Sequence, residues 1–183
     1  MDFSFDAELD APADAVFRTL QFDLSELIPL LPNIERVDLV ASQENEQGLP
    51  YTLHHWFATP GMAPTLIRPF VTANMTQWLD HGTWNAAAGT IDWRFESPTM
   101  RDLYDCGGTH HVLERDAGRS TLRFSGTFAI NAAAVPGVPT FLVRRVAPAL
   151  EKFMLNMIVT NLRELPRAIA THLGGPSGAP AKR

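Results

Sequence analysis

Several residue types and patterns that define functional classes are scarce in this sequence. Its 183 residues include one cysteine, Cys106, which excludes an internal disulfide and a zinc site made of several cysteines. Basic residues are fewer than acidic ones, 15 against 20, and the net charge of −5 argues against nucleic acid as a partner. No apolar run approaches the roughly 20 residues that cross a membrane, although transient contact with a membrane surface stays open. Together these absences predict a cytoplasmic protein.

The motifs of common catalytic chemistry are absent as well. The sequence has no nucleophile elbow, no glycine-rich phosphate loop and no paired carboxylate motif. Two histidine pairs, His54-His55 and His110-His111, lie in predicted strands, where alternation turns one member of each pair outward. At most His55 and His111 face inward, with the direction of His81 left open, and such a set does not make a metal site. We therefore predict no catalytic residue, no metal and no cofactor, and we favour a protein that is not an enzyme.

The longest regular pattern belongs to a helix near the C-terminus, from Pro148 to Leu173. Apolar residues recur there at steps of three and four, while charged and polar side chains occupy the opposite face. At 1.5 Å per residue this helix would be about 40 Å long, so its apolar face needs a large partner surface. Pro139, Pro148 and Pro166 depart from the pattern of an uninterrupted helix, because proline displaces the start of a helix or bends it.

The segments before this helix have the shorter period of strands. Alternating apolar and polar residues over 2–9 predict a first strand, and two short helices follow it. Asp10 or Ala11 would cap the first helix, with Pro12 in its first turn, and the second helix would span 24–31. Six further strands are predicted at 36–42, 50–58, 75–86, 90–96, 100–114 and 120–130.

Two segments are predicted to lie outside this framework. Residues 59–69 hold three prolines and a glycine, a composition typical of a mobile connection or flap. Residues 174–183 are rich in Gly, Pro and Ala, and we expect them to form a disordered tail. Residues 1–173 then form a single domain.

This order of elements resembles the START, polyketide-cyclase and plant-allergen superfamily. The local sequences that carry the resemblance are Phe3-Ser4-Phe5 leading into Pro12-Ala13-Asp14-Ala15-Val16-Phe17, Val138-Pro139 before the helix, and Glu151-Lys152. The region around Glu151-Lys152 is similar to the uncharacterised bacterial branch. The resemblance implies an α+β helix-grip fold, in which a curved antiparallel sheet of about seven strands wraps a long C-terminal helix. It also implies a cavity between sheet and helix for an apolar or amphipathic small molecule.

The register of one hairpin follows from its turn. If Ala87-Ala88 forms a two-residue turn, Trp84 lies opposite Ile91. One face of the hairpin then carries large apolar side chains that favour burial: Trp78, Trp84, Ile91, Trp93 and Phe95. Asp80 shares this face, and we expect its carboxylate at the rim of the sheet, in water, because burial without a partner is costly.

The following strands impose conflicting registers. The turn at Ser97-Pro98-Thr99-Met100 would place Tyr104 opposite Trp93 and turn it inward, whereas the last hairpin turns His111 inward, beside Phe124. Both side chains face the helix only if one extra residue lies between them. A β-bulge at Gly107 or Gly108 would supply that residue at the lowest cost.

These registers predict the walls of the cavity. They comprise Trp78, Trp93, Tyr104, His111 and Phe124 from the sheet and Met154, Met157, Ile158 and Asn161 from the helix. Asn161 lies on the apolar face of the helix, where it would orient the polar end of a ligand or bond to a neighbouring group. Access to the cavity is expected beneath residues 61–69.

The functional prediction follows from this cavity. We predict that it binds or transports a hydrophobic small molecule, such as a lipid, a fatty acid or an isoprenoid. Two alternatives stay open: a cyclase or aromatase-like enzyme acting on a polyketide-type substrate, and an interaction protein whose core is filled by side chains. Neither the identity of the ligand nor the oligomeric state follows from the sequence.

Overall fold

The computed structural model describes residues 1–59, 73–116, 118–131 and 140–174, along with residues 65, 68, 71 and 134. For residues 140–146 it describes the backbone alone. The predicted flap at 61–69 and the predicted tail at 174–183 fall almost entirely outside the described residues.

Seven strands and a long helix dominate the described chain. In chain order the elements are β1 (Asp2–Leu9), α1 (Ala13–Phe22), α2 (Leu24–Leu27), β2 (Ile34–Glu44), β3 (Pro50–Ala58), β4 (Gln77–Asn85), β5 (Thr90–Glu96), β6 (Tyr104–Asp116), β7 (Arg119–Ile130) and α3 (Thr140–His172). Short 3₁₀ helices add Ile28–Leu30 and Ala73–Met75. The strands form one antiparallel sheet in the order β1-β7-β6-β5-β4-β3-β2, and α3 packs on β7, β1 and α2. The predicted α+β helix-grip fold is confirmed.

The core lies between the concave face of the sheet and α3. Alternation along β3 illustrates how the strands contribute, since Thr52, His54, Trp56 and Ala58 are buried and the residues between them are not. The buried face of α3 consists of Leu150, Met154, Met157, Asn161, Leu162, Leu165, Ala168 and Ile169. Burial of each large apolar side chain contributes roughly 1.5–3 kcal/mol, so this sheet-to-helix contact is a major source of stability.

The helix α3 is longer than the sequence predicted. It spans 33 residues, about 50 Å, and begins at Thr140 rather than Pro148. Pro148 and Pro166 both lie inside it. Each proline removes one main-chain hydrogen bond, and the packing of the apolar face on the sheet offsets that loss.

The start of α1 also differs from the prediction. The helix begins at Ala13, with Pro12 rather than Asp10 or Ala11 at its N-cap, and no side chain of the cap residue bonds to it. Glu114 of β6 supplies the missing acceptor, because its Oε2 accepts a hydrogen bond from the Ala13 N–H at 2.9 Å. A tertiary contact therefore caps this helix in place of a local one.

The register between β4 and β5 is the predicted one. Trp84 pairs with Ile91, and Gly82 pairs with Trp93. The connection is a four-residue loop at 86–89 rather than a two-residue turn, and it leaves the pairing unchanged because it extends both ends equally. Gly89 has a φ of +63° in this loop, a conformation that favours glycine.

The register between β5 and β6 differs from the prediction. Trp93 pairs with Gly108 and not with Tyr104. The connection between the strands contains an additional turn, in which the Leu103 N–H donates to the Met100 carbonyl at 2.9 Å and the Leu103 side chain is fully buried. This turn delays the start of β6 to Tyr104 and moves the pairing by four positions.

The strand β6, which is described along its whole length, has no bulge at Gly107 or Gly108. Its pairing with β7 keeps one register as far as Glu114. The side chains of β6 that face the helix are therefore Tyr104, Cys106, His110 and Val112. Tyr104 faces inward as predicted, whereas the prediction for His111 is wrong. Side chains alternate along a strand without a bulge, so His111, seven positions after Tyr104, lies on the opposite face.

Gly108 and Gly126 have a packing role instead. They pair with each other across β6 and β7. A Cβ at Gly126 would lie 2.4 Å from Cζ2 of Trp93, and a Cβ at Gly108 would lie 2.3 Å from the Ser125 carbonyl oxygen. The Trp93 indole donates to that same carbonyl at 3.3 Å. The two glycines thus let the Trp93 ring lie against β7.

Gly126→Ala is expected to destabilise the fold by roughly 1–3 kcal/mol, because the added methyl group displaces Trp93 from β7. Urea unfolding measures the change in the free energy of unfolding. Thr127→Ala, at the adjacent exposed position, is the control and should change that free energy by less than about 0.5 kcal/mol. Equal stability of Gly126→Ala and the wild type would contradict the packing role.

Candidate functional site

A cavity of about 90 Å³ lies between the concave face of the sheet and α3. Its wall on the sheet consists of Thr52, His54, Trp56, Trp78, Asp80, Gly82, Trp84, Ile91, Trp93, Phe95, His110 and Phe124. The helix α3 contributes Met157, Ile158, Asn161, Leu162 and Leu165. The segment from α1 to the start of β2 contributes Leu20, Leu24, Leu31 and Ile34. The lining is mainly apolar and aromatic, with a few polar groups, as is typical of small-molecule sites.

All four tryptophans of the chain line this cavity, and each is more than nine-tenths buried. The rings of Trp56 and Trp78 stack with centroids 5.8 Å apart and planes 9° apart. Trp93 packs against Phe95 at 4.7 Å. These rings present broad flat surfaces, which suit an apolar or aromatic ligand.

The indole N–H groups differ in their partners. That of Trp84 donates to Oγ1 of Thr52 at 2.9 Å, and that of Trp56 donates to Oδ2 of Asp80 at 3.2 Å. The N–H of Trp78 is buried without a hydrogen-bond partner among the described residues. A ligand acceptor or water is the expected partner for such a group.

Asp80 is the one acidic residue among the described residues that line the cavity. Its cross-strand neighbours are His54 on β3 and Phe95 on β5. Burial raises the pKa of this carboxyl to about 7, although the hydrogen bond from Trp56 acts in the opposite direction. Asp80 is not placed at the rim as expected, because it shares the concave face of β4 with Trp78 and lines the cavity, where the residue is half-buried.

The histidines that face the cavity are His54 and His110, not His55 and His111. The ring of His110 stacks at 5.1 Å on Trp93, and burial lowers its pKa to about 3. Burial also lowers the pKa of His54. Both side chains are therefore neutral at neutral pH.

Asn161 lies on the face of α3 that covers the cavity and is 8% exposed. Neither its amide nitrogen nor its amide oxygen has a hydrogen-bond partner among the described residues. A buried polar group without a partner costs roughly 1–3 kcal/mol. The sequence allowed two roles for Asn161, to orient the polar end of a ligand or to bond to a neighbouring group. No bond of the second kind is found in the described part of the chain.

The structure brings together most of the residues that the sequence proposed for the site. Those that line the cavity are Trp78, Trp93, Phe124, Met157, Ile158 and Asn161. Tyr104 and Met154 face inward but belong to a neighbouring apolar cluster with Phe128, whose ring lies 5.8 Å from that of Tyr104. His111 lies on the outer face, opposite Arg123. The roles of all these residues in ligand binding stay predictions.

Sequence analysis missed part of the wall formed by β3. His54 and Trp56 line the cavity together with Thr52. The alternation in this strand contained the signal, because Trp56 is its largest side chain and favours the buried face. Assigning that face to Trp56 turns His54 inward and His55 outward.

A surface groove of about 420 Å³ adjoins the cavity and shares Leu24, Thr52 and His54 with it. Its rim includes Phe22, which is 67% exposed, and Leu39, which is 61% exposed. The predicted access route beneath 61–69 lies almost entirely outside the described residues, whereas this groove is fully described. It lies between α1 and the β2–β3 hairpin, and the three shared residues separate it from the cavity.

The described residues contain neither a membrane-spanning helix nor a metal-binding cluster. No helix in this part of the chain has both the length and the apolar character to cross a membrane. The same residues contain no group of three His, Cys, Asp or Glu side chains placed to hold a metal ion.

The architecture is shared with solved structures of low sequence identity. The Zhui aromatase/cyclase from Streptomyces sp. R1128 has a TM-score of 0.66 at 15% identity, over 96% of this chain and 99% of that chain. A protein from Thermus thermophilus has a TM-score of 0.64 at 17% identity, over 94% and 99% of the two chains. Ara h 8.0201 has a TM-score of 0.55 at 15% identity, over 94% and 97%.

No protein-family model matches the chain, and no curated protein matches its sequence. At identities of 15–17% the structural matches establish a common fold. The resemblance to the START and polyketide-cyclase superfamily is confirmed at that level.

Asp80→Asn is expected to remove the contribution by which Asp80 lowers the stability of the wild type as the pH rises. The pKa of Asp80 is about 7 in the folded protein, against an ordinary value of 3.8 that applies to the unfolded chain. As the pH rises, the unfolded chain therefore releases this proton at a lower pH than the folded protein does. At roughly 1.4 kcal/mol per unit of pKa difference, Asp80 alone lowers the stability by up to about 4 kcal/mol between about pH 4 and pH 8. The lowered pKa of His110 acts in the opposite direction over the same range, so the prediction concerns the difference between the wild type and Asp80→Asn.

Urea unfolding of both proteins at the two pH values measures this difference. Asp105→Asn, which neutralises an exposed carboxylate on β6, is the matched control and should keep the pH dependence of the wild type. The same pH dependence in Asp80→Asn as in the wild type would show that Asp80 is not the group responsible.

Proposed function

Since the chain has the helix-grip fold that START-like proteins and polyketide cyclases share, we propose that it binds a hydrophobic small molecule between the sheet and α3. The observation that carries this proposal is the cavity, an apolar space walled by four tryptophans. Protein cores are normally packed without such voids. The cavity also argues against the alternative of an interaction protein with a filled core.

The chemistry of the walls favours some of the expected ligands over others. Stacked rings such as Trp56 and Trp78 suit an aromatic or isoprenoid-like molecule. A fatty acid has a carboxylate that requires a cationic partner, and no Lys or Arg is among the described residues that line the cavity. A ligand without a carboxylate is therefore the better candidate within the hydrophobic class, whether the protein only binds the ligand or also transports it.

The groove between α1 and the β2–β3 hairpin is the access route in this proposal. Its inner end is formed by residues that also line the cavity, Thr52 and His54 among them. The pairing of β2 with β3 shifts between Leu39 and Ala41, so Val40 is an extra residue in the edge strand. An extra residue in a strand changes the direction in which the neighbouring side chains point. Here Leu39 lines the groove, whereas Val40 does not.

A cyclase-like or aromatase-like activity is the second candidate, and one observation favours it. The carboxyl of Asp80 lies in the cavity with a pKa of about 7, which suits proton transfer near neutral pH. One of the matched structures is that of an aromatase/cyclase. Turnover of a polyketide-type substrate by the wild type, lost in Asp80→Asn, would support this activity over simple binding.

Met157→Trp is expected to fill the cavity and abolish binding of a neutral fluorescent apolar probe such as N-phenylnaphthylamine. Met157 is 7% exposed and lines the cavity from α3, so a larger ring at this position occupies the ligand space. Fluorescence titration measures binding, and circular dichroism checks the fold. Asn156→Trp, at the adjacent exposed position of α3, should bind the probe like the wild type. Unchanged binding by folded Met157→Trp would place the ligand elsewhere.

Leu39→Trp is expected to slow both association and dissociation of the same probe, because the larger side chain narrows the groove. The equilibrium affinity should change little, since Leu39 does not line the cavity. Stopped-flow fluorescence measures both rates. Val40→Trp, on the same strand but outside the groove, is the control. Equal rates in the two variants would exclude the groove as the access route.

A further inference from the structure

The polar groups of the cavity restrict the chemistry of its ligand. We infer that the cavity selects apolar ligands that carry an amine or a quaternary ammonium group, with Asp80 as the counter-charge and tryptophan rings as the walls. This inference rests on the proposed binding function and narrows it to one class. Ligands that end in a carboxylate are disfavoured at the same place.

The charges around the cavity are the first support. Asp80 is the one residue among the described lining residues that can carry a full charge near neutral pH. His54 and His110 are the other titratable groups there, and burial lowers the pKa of both, so they are neutral. A bound cation therefore meets one opposite charge and no like charge from the described lining.

Basic side chains near this part of the sheet and helix have other partners. Arg94 on β5 bonds to Glu96 at 2.7 Å, with 61% of its side chain exposed. Arg163 on α3 lies over the ring of Phe5 at 5.1 Å. The groups that act on the Asp80 carboxyl are its buried surroundings and the Trp56 hydrogen bond, with no cation among them, so its charge is available to a ligand.

Aromatic rings surround the carboxyl group along the sheet. Trp78 precedes Asp80 by two positions on the same face of β4, Phe95 lies opposite it on β5, and Trp56 donates a hydrogen bond to it. The Trp78 ring is 5.8 Å from Trp56 and 5.9 Å from Phe95. Each aromatic face attracts a cation through its negative quadrupole, and tryptophan does so most strongly.

The helix adds an acceptor to this arrangement. The Asn161 amide oxygen is buried at the cavity and has no partner among the described residues. A protonated amine, unlike a quaternary ammonium group, has N–H donors for such an oxygen as well as for Asp80. A neutral hydrocarbon satisfies neither group.

Cation binding also removes the cost of burying the carboxylate. In the free protein the pKa of Asp80 is about 7, so part of the population carries a proton at neutral pH. An ammonium ion favours the charged form and displaces this proton, whereas a neutral ligand leaves the proton in place. A carboxylate ligand would require Asp80 to stay protonated.

Three probes of one shape test the inference: phenylpropylamine, phenylpropanol and phenylbutanoate. They share a phenyl ring and an alkyl chain and differ in their ammonium, hydroxyl and carboxylate ends. Competition with N-phenylnaphthylamine at about pH 7.5 should show the amine binding roughly tenfold more tightly than the alcohol, and the carboxylate binding most weakly.

Two variants identify the group responsible. In Asp80→Asn the preference for the amine over the alcohol should disappear, while the alcohol still binds. In Asp105→Asn, which loses one negative charge at an exposed position, the preference should persist. Binding of the neutral probe by both variants verifies that the cavity is intact.

The pH dependence provides an independent measurement. Below pH 7 the affinity of the wild type for the amine should fall about tenfold per pH unit, because the proton on Asp80 competes with the ligand. The alkylammonium group itself stays charged throughout this range. The affinity of Asp80→Asn for the amine should not follow this slope.

The possible results separate this inference from the binding function. If the alcohol binds the wild type as tightly as the amine, or if Asp80→Asn keeps the preference, the charge selectivity is wrong and the cavity still binds apolar ligands. If neither the three probes nor N-phenylnaphthylamine binds the wild type, the binding function is wrong and the inference falls with it.

Discussion

The antiparallel ladder between β6 and β7 is the constraint on which the site depends. Side chains alternate along a strand, so the register of this ladder decides whether His110 or His111 reaches the helix. The ladder is most crowded where Gly108 pairs with Gly126, since a side chain at either position would collide with β7 or with Trp93. The ring of Trp93 can then pack flat on His110 at 5.1 Å. The aromatic wall formed by Trp93 and His110 therefore depends both on the register of β6 with β7 and on the two glycines that pair there.

The sequence predicted those parts of the fold that local patterns determine. Alternation gave β3 its observed bounds, Pro50–Ala58, and a short loop determined the pairing of Trp84 with Ile91. The register of β6 was not predictable in the same way. It depends on the buried turn at Leu103, whose burial comes from packing with distant parts of the chain. The wrong pairing predicted for Tyr104 conflicted with the pairing predicted for His111, and the two agreed only if a bulge lay between them. The strand has no such bulge.

The candidate site was predictable to a similar extent. The apolar members of the wall were identified because large side chains on one face of a hairpin favour burial, as Trp78 and Trp93 do. Asp80 was placed in water by the same reasoning, since burial of a carboxylate is locally unfavourable. Its actual position follows from the closure of α3 over the face that it shares with Trp78. No local pattern contains that information.

The polar groups of the cavity cost stability in the absence of a ligand. Asn161 and the indole of Trp78 are buried without partners in the described chain, and each such group costs roughly 1–3 kcal/mol. An apolar residue of similar size at position 161 would avoid the part of that cost that comes from Asn161. The low dielectric that makes an isolated carboxylate expensive also strengthens its attraction for an opposite charge. The groups that weaken the empty cavity are therefore the ones that gain most when a ligand with complementary groups enters it.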